Sequence, residues 1–509
     1  MRRLQILILL TLLSNLTGKG DSISSEPNRQ PESPIASKEK KAVRSIKGDR
    51  ATTNGGELTI TSIGHRLGFG RGEEYDEDIQ SPKSVTFNHD GTKFYINSLE
   101  GCKTVVYDAK TLKKLKTITY DFNSGTGDKW LPMSGYYKFT HYPDGHNRSF
   151  RGKPVEATFS KDGKYLFVPF YRRTFDLNAQ DPSALAVIDT EKDEIAMMLE
   201  TGPLPKMVRI SNDGMLLAIT HWGDNTIGLV DISDKNPKKW HHLSPITVGK
   251  KLELNYSLTE EVNRDSGSGY LLRGTIFLPW DSLLLISGMA GPMAVIDVKK
   301  KEWIGMINNL YGIRHIVCKD SMLYMSRNSA GEVLSLPIAN IIEEIGKRRA
   351  AGRNFNVSGI KTAKVIPGAR TLVASPSGKY LFAACSFSSE ICVVGAEDMK
   401  LIGRIKADSY PVGLDISPDG KLLISTSQAN KGVGGNAVDI FSVEYATPEI
   451  MEEEPQENLQ ESADETEQTD VGTIAEKESF FRTDNLILII GILALIAVGV
   501  IAIIYSKRK

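Results

Sequence analysis

The chain has 509 residues, with 62 Lys+Arg against 62 Asp+Glu, so its formal charge is zero. That balance argues against nucleic acid as a partner, and a hydrophobic share of 40% is ordinary for a globular protein. Four cysteines are too few for a disulfide framework at this length.

The N-terminus reads Met1-Arg2-Arg3 and then a short apolar run to Leu13, the pattern of a secretory signal over residues 1–20. Residues 21–55 are polar and rich in Ser, Pro and Lys, and are expected to form a disordered linker. The segment Leu58-Thr-Ile-Thr-Ser-Ile63 is then a lone alternating strand.

From there a seven-residue phrase recurs: apolar, any, apolar, Ser or Asn, any, Asp, Gly. It reads Val85-Thr-Phe87-Asn-His-Asp90-Gly91, Ala157-Thr-Phe159-Ser-Lys-Asp162-Gly163, Val208-Arg-Ile210-Ser-Asn-Asp213-Gly214 and Leu414-Asp-Ile416-Ser-Pro-Asp419-Gly420. A short alternating strand, an Asp-Gly turn and a second strand make a hairpin. Its return at long intervals is the signature of a β-propeller. Third strands such as Leu185-Ala-Val-Ile-Asp189 and Ile227-Gly-Leu-Val-Asp231 follow, and seven units are countable. Three units have degenerate turns, at Trp280-Asp281-Ser, Lys319-Asp320-Ser and Pro376-Ser377-Gly378, but keep their strand patterns. After Phe441-Ser-Val443 the last unit lacks a fourth strand, and the lone early strand is expected to supply it and close the ring.

The expected fold is therefore all-β: a seven-bladed β-propeller over residues 56–446, with a C-terminal transmembrane helix. Between Pro448 and Asp484 lie 13 acidic residues against Lys477 and Arg482, so residues 447–484 read as an extended acidic stalk. Residues 485–505 carry an apolar run without a charge, long enough to span a bilayer, and residues 506–509 form a basic tail. The expected topology is single-pass, with the propeller outside the cytoplasm and the tail inside.

The first strands of a propeller line its channel. Aligned on their starts, the residue after the Pro or its equivalent is Lys83, Val155, Lys206, Arg273, Arg314, Arg370 and Val412, basic in five of seven units. Five cations at one channel mouth repel one another unless an anion or acidic side chains balance them. A carboxylate, a phosphate, an acidic glycan or a protein could be that partner, with Glu156 as a local counter-charge. The alternative is a set of solvated strand-end charges. An insertion over residues 120–153 carries Trp130, Tyr136, Tyr137 and His141, which suit ligand stacking over the channel mouth; the alternative is a loop packed on its own blade. A second insertion spans residues 233–270, and residues 337–352 read as a short helix with an apolar face of Ile338, Ile341, Ile342 and Ile345.

His315 lies on an inner strand and His221 ends a second strand, too sparse a pattern to predict a metal. No G-x-S-x-G, HExxH, Walker or C-x-x-C-H motif occurs, and no cofactor is predicted. A channel hydrolase would need a Glu/Arg/His or metal cluster; Glu156, Arg370 and His315 could form one, though no motif fixes them. Cys385 and Cys392 fall on neighbouring strands, as a cross-strand disulfide or as two buried thiols.

The repeat resembles the YVTN-type seven-bladed propellers, related to the lactonase-like and surface-layer propellers. The residues that carry this run from Pro205-Lys-Met-Val-Arg-Ile-Ser-Asn-Asp-Gly214 through Trp222-Gly-Asp-Asn-Thr-Ile-Gly-Leu-Val-Asp231, and the likeness spans all seven units. It implies the fold, and a range of roles rather than one activity. The reading favoured is a membrane-anchored ligand-binding or protein-interaction module, with a lactonase-like hydrolase or a structural envelope subunit as alternatives.

Overall fold

The computed structural model describes residues 43–123, 129–347, 354–428 and 434–447. The segments expected to be signal, stalk, membrane span and basic tail, and the first part of the expected linker, lie outside these residues. Among the described residues no helix is long and apolar enough to cross a membrane.

Seven antiparallel sheets follow one another along the chain. Blade 1 runs through Pro82–Phe87, Lys93–Ser98, Lys103–Asp108 and Lys114–Thr119. The inner strands of the other blades begin at Thr158, Pro205, Leu272, Ile313, Ala369 and Pro411. The chain is thus a seven-bladed β-propeller. Closure follows the expected route: Leu58–Leu67 pairs antiparallel with Ala437–Tyr445, with Leu58 opposite Tyr445 and Leu67 opposite Ala437. The linker expected over residues 21–55 ends earlier than anticipated. Arg50–Thr52 adds a further strand outside the closing one, and Ser409 holds the chain at Val43 through its hydroxyl and backbone N–H.

The recurring phrase explains itself in the turns. In three hairpins the Ser hydroxyl donates to the Asp two residues on, at 2.6 Å for Ser160–Asp162, Ser211–Asp213 and Ser417–Asp419. The same Asp accepts the backbone N–H just past the Gly, as Asp213 does from Met215 at 2.8 Å. Gly214 itself sits at φ +81°, where a side chain would be strained. In the degenerate turns Asp281 and Asp320 take the left-handed position at φ 54°, and tolerate it as aspartates do.

Alternate strand residues are buried between neighbouring blades. One core joins Leu285 and Val295 of blade 4 to Ile316, Leu323 and Leu334 of blade 5, together with Ile338 and Ile341 of the helix Ile338–Gly346. Another joins Phe382 and Ile391 of blade 6 to Leu423 and Phe441 of blade 7 and to Leu58 and Ile60 of the closing strand. Hydroxyls stitch the inner ring: Ser84 donates to the carbonyl of Val155 at 2.7 Å, Ser326 to that of Arg370 at 2.6 Å, and Thr371 to that of Val412 at 2.6 Å.

Cys385 and Cys392 are two buried thiols with sulfurs 3.5 Å apart. They lie on a diagonal, because Cys385 faces Glu390 while Cys392 faces Ala383.

Phe441 is fully buried at the seam, opposite Ser62 of the closing strand. Phe441→Ala is expected to cost about 3–5 kcal/mol in urea unfolding, the usual range for emptying a packed aromatic site. An unchanged midpoint would mean that the seam does not hold the ring.

Candidate functional site in the channel

The channel holds two cavities, one at each end. The cavity at the starts of the inner strands has a volume of about 500 Å³, and Lys83, Val155, Lys206, Arg273, Arg314 and Arg370 all line it. The alignment of the seven first strands therefore stands in register, including the two arginines taken from degenerate units.

Backbone geometry places these side chains. Two residues before the ring position, the chain takes a left-handed φ in six blades: Ser81 (52°), Leu204 (53°), Leu271 (53°), Gly312 (68°), Gly368 (98°) and Tyr410 (62°). At the ring position itself the pairing slips, between Pro82 and Ser84, Pro205 and Met207, Leu272 and Thr275, Ile313 and His315, Ala369 and Leu372, and Pro411 and Gly413. Such irregularities re-aim a side chain and strengthen local twist. Four of the six left-handed residues are not glycine, so the turn is held at a cost of about 1 kcal/mol or more each.

The basic residues are buried: Arg273 is 3% exposed, Arg314 8% and Arg370 6%. They are not solvated strand-end charges. Arg273 pairs with Glu156 at 2.8 Å. Lys206 lies 3.8 Å from Asp265, with its Nζ over the rings of Tyr171 (4.1 Å) and Trp222 (4.8 Å). Arg370 lies over the ring of Tyr410 at 5.6 Å, and Arg314 touches the sulfur of Met289 at 3.8 Å. Among the described residues no carboxylate stands within ion-pair distance of Lys83, Arg314 or Arg370. The Nε atoms of Arg273, Arg314 and Arg370 are buried without a hydrogen-bond partner. Burial and the neighbouring guanidiniums push Lys83 and Arg314 well below their ordinary values. Burial also draws Lys206 down to about 7, against the pull of Asp265. The Lys206 charge in turn holds Asp265 below the usual carboxylate range.

The second insertion, not the first, reaches this cavity. Arg264 anchors it, donating from Nη1 to the carbonyl of Ala179 at 2.9 Å and from Nη2 to that of Gly223 at 3.0 Å. The indole of Trp222 donates to the Arg264 carbonyl at 2.9 Å. This clasp brings Glu261 and Asp265 to the cavity, where Tyr171, Trp222 and Tyr410 also line it. None of these five was singled out from the sequence. Glu261 and Asp265 fall within the second insertion over residues 233–270, and Tyr410 stands two places before a ring position.

The described part of the first insertion packs on blades 2 and 3 and not over the channel mouth, the second of the two readings the sequence left open. None of Trp130, Tyr136, Tyr137 and His141 lines either cavity. Its aromatics enclose a cation of their own chain: the guanidinium of Arg173, almost fully buried, lies over Trp130 (5.0 Å), Phe139 (4.8 Å) and Phe150 (4.8 Å). Tyr137 packs edge-on against His221 and His242, and His141 bonds Asp181 at 2.8 Å. Tyr136 is exposed.

Glu156 and His315 line the second cavity, at the Asp-Gly turn end, with Arg209 and Asp415. The Glu156–Arg273 pair thus stands between the two cavities. His315 accepts from the Leu372 N–H at Nδ1 (3.4 Å), and burial lowers it to about 3. His221 spends Nε2 on the Gly202 N–H at 3.0 Å and bonds Thr226 at Nδ1. Glu156, Arg370 and His315 are therefore not gathered at one site, and His221 reaches neither cavity.

No protein-family model matches the chain, and no curated protein matches it. Among solved structures it is similar to the Kuenenia stuttgartiensis hydrazine synthase, at 14% identity and a TM-score of 0.48, covering 73% of this chain and 98% of that one. It is also similar to the Myceliophteria thermophila Cps50 (Swd1) β-propeller domain, at 12% identity and a TM-score of 0.47, covering 74% of this chain and 99% of that one. These likenesses concern the fold.

Lys206 ionises near 7 when folded and near 10.5 when exposed. Above about pH 7 the folded chain has shed a proton that the unfolded chain still holds, so stability rises with pH through this window. The difference in melting temperature between Lys206→Met and the native chain should therefore shift in favour of the native chain from pH 6 to pH 9. A pH-independent difference would contradict the assignment.

Proposed function

We propose that the protein is an anion-recognition module: a propeller that binds an anionic ligand in the basic cavity of its channel. The observation that supports this most is the set of buried arginines on three consecutive blades, Arg273, Arg314 and Arg370, each with an unpartnered Nε at one cavity. Guanidinium forks suit carboxylate and phosphate oxygens, and cannot escape their charge by deprotonating at neutral pH. Arg273 is paired with Glu156, but burying Arg314 and Arg370 without a carboxylate is costly unless an anion completes the site. A volume of about 500 Å³ is in the range of small-ligand sites.

The setting belongs to the same proposal. The apolar run within residues 485–505 holds the chain in a membrane, with the propeller outside the cytoplasm and the basic tail inside. The repeat phrase likens the chain to the YVTN-type propellers of the lactonase-like and surface-layer group.

The ligand role is tested by calorimetry on the full-length chain in detergent, with citrate and inorganic phosphate as probes. Binding is expected to weaken as salt rises, and Arg370→Gln with Lys206→Gln should lose at least tenfold in affinity. Equal affinity for native and doubly substituted chains would remove the idea. The membrane role predicts that the full chain sediments with membranes through a carbonate wash, whereas a chain ending at residue 447 does not.

A further inference from the structure

The charges around the cavity are sorted by depth. The cations Lys83, Lys206, Arg273, Arg314 and Arg370 are all at least nine-tenths buried. The carboxylates that share the lining are not: the side chains of Glu100, Glu261 and Asp265 are 53%, 65% and 68% exposed. A basic floor lies beneath an acidic rim.

The floor can be counted. Of six cations that line the cavity, Arg172 pairs with Glu261 at 3.5 Å, Lys206 with Asp265 at 3.8 Å and Arg273 with Glu156 at 2.8 Å. Glu100 is held by Lys153 at 2.6 Å and neutralises nothing on the floor. Lys83, Arg314 and Arg370 remain, on blades 1, 5 and 6.

The rim decides what kind of anion fits. An extended polyanion, such as an acidic glycan or an acidic peptide, that placed some charges on the floor would lay the rest against Glu100, Glu261 and Asp265. Those carboxylates are already paired with Lys153, Arg172 and Lys206, so the rim offers no free cation to answer the remaining charges. A compact ligand passes the rim and carries all its charge to the floor. Resting on the anion-binding reading, we infer that the cavity selects a small molecule with three negative charges, from carboxylate or phosphate groups, and rejects acidic polymers.

The test uses the full-length chain in detergent and isothermal titration with propionate, succinate and tricarballylate, which carry one, two and three carboxylates. Glycerate 3-phosphate serves as the phosphate-bearing arm, and oligogalacturonate as the polymer. Affinity is expected to rise at least tenfold from succinate to tricarballylate, and oligogalacturonate should bind at least tenfold more weakly than tricarballylate. In Arg370→Gln the advantage of the third charge should disappear, while Arg370→Lys keeps it. Lys83→Gln, on blade 1 of the same arc, repeats the measurement should Arg370→Gln not fold. Equal binding of succinate and tricarballylate would overturn the charge count and leave the anion site standing. Tighter binding of the polymer would overturn the selection for compact ligands. Binding of none of these, glycerate 3-phosphate included, would overturn the anion-binding reading itself.

Discussion

The pairing of Leu58–Leu67 with Ala437–Tyr445 turns seven sheets into a ring, and everything at the channel depends on it. Each blade has two apolar faces, covered chiefly by the blades on either side. An open arc would leave two such faces and two strand edges in water. Closing it costs the entropy of bringing together segments nearly four hundred residues apart in sequence, but loop-closure entropy grows only slowly with length. Nine paired positions along the seam and the core around Phe441 outweigh it.

Closure also creates the electrostatic problem. A ring of like units brings equivalent positions to one axis, so a basic residue at the same place in five blades becomes five cations around a small volume. In a single blade Arg370 would be an ordinary strand-end charge. Blade 2 relieves part of the repulsion: it offers Val155 at the ring position and Glu156 next to it, and Glu156 reaches Arg273 on blade 4. The second insertion relieves another part through Asp265. What is left uncompensated is on the opposite arc, at Lys83, Arg314 and Arg370.

The blades and the ring position were legible in the sequence because both repeat. Ser160–Asp162 and its counterparts are local bonds within one hairpin, so a seven-residue window contains their whole cause. The register of Arg273 and Arg314 survived degenerate turns because the ring position lies at the start of the inner strand, before the turn. The insertions were illegible for the converse reason. Trp130, Phe139 and Phe150 look like a ligand-stacking set until Arg173, from a later strand, is seen to occupy their faces. Asp265 reaches the cavity because Arg264 docks on Ala179 and Gly223, contacts that no periodicity announces. Glu156 and His315 were assigned to the mouth, yet one further step along a pleated inner strand carries a side chain towards the other cavity.

The free cavity is thus a site in which charge has been concentrated and only partly answered. Burial has already moved Lys83 and Lys206 towards their neutral forms, which lowers their repulsion with the neighbouring arginines. An arriving anion reverses that shift, since a negative charge beside an amine favours the ammonium. Anion binding and proton uptake are then linked, and part of the binding energy is spent recharging the lysines. Arg314 and Arg370 present planar guanidinium forks rather than flexible amines. They supply the standing field that draws an anion in, while the two lysines adjust the site's charge to the ligand it holds.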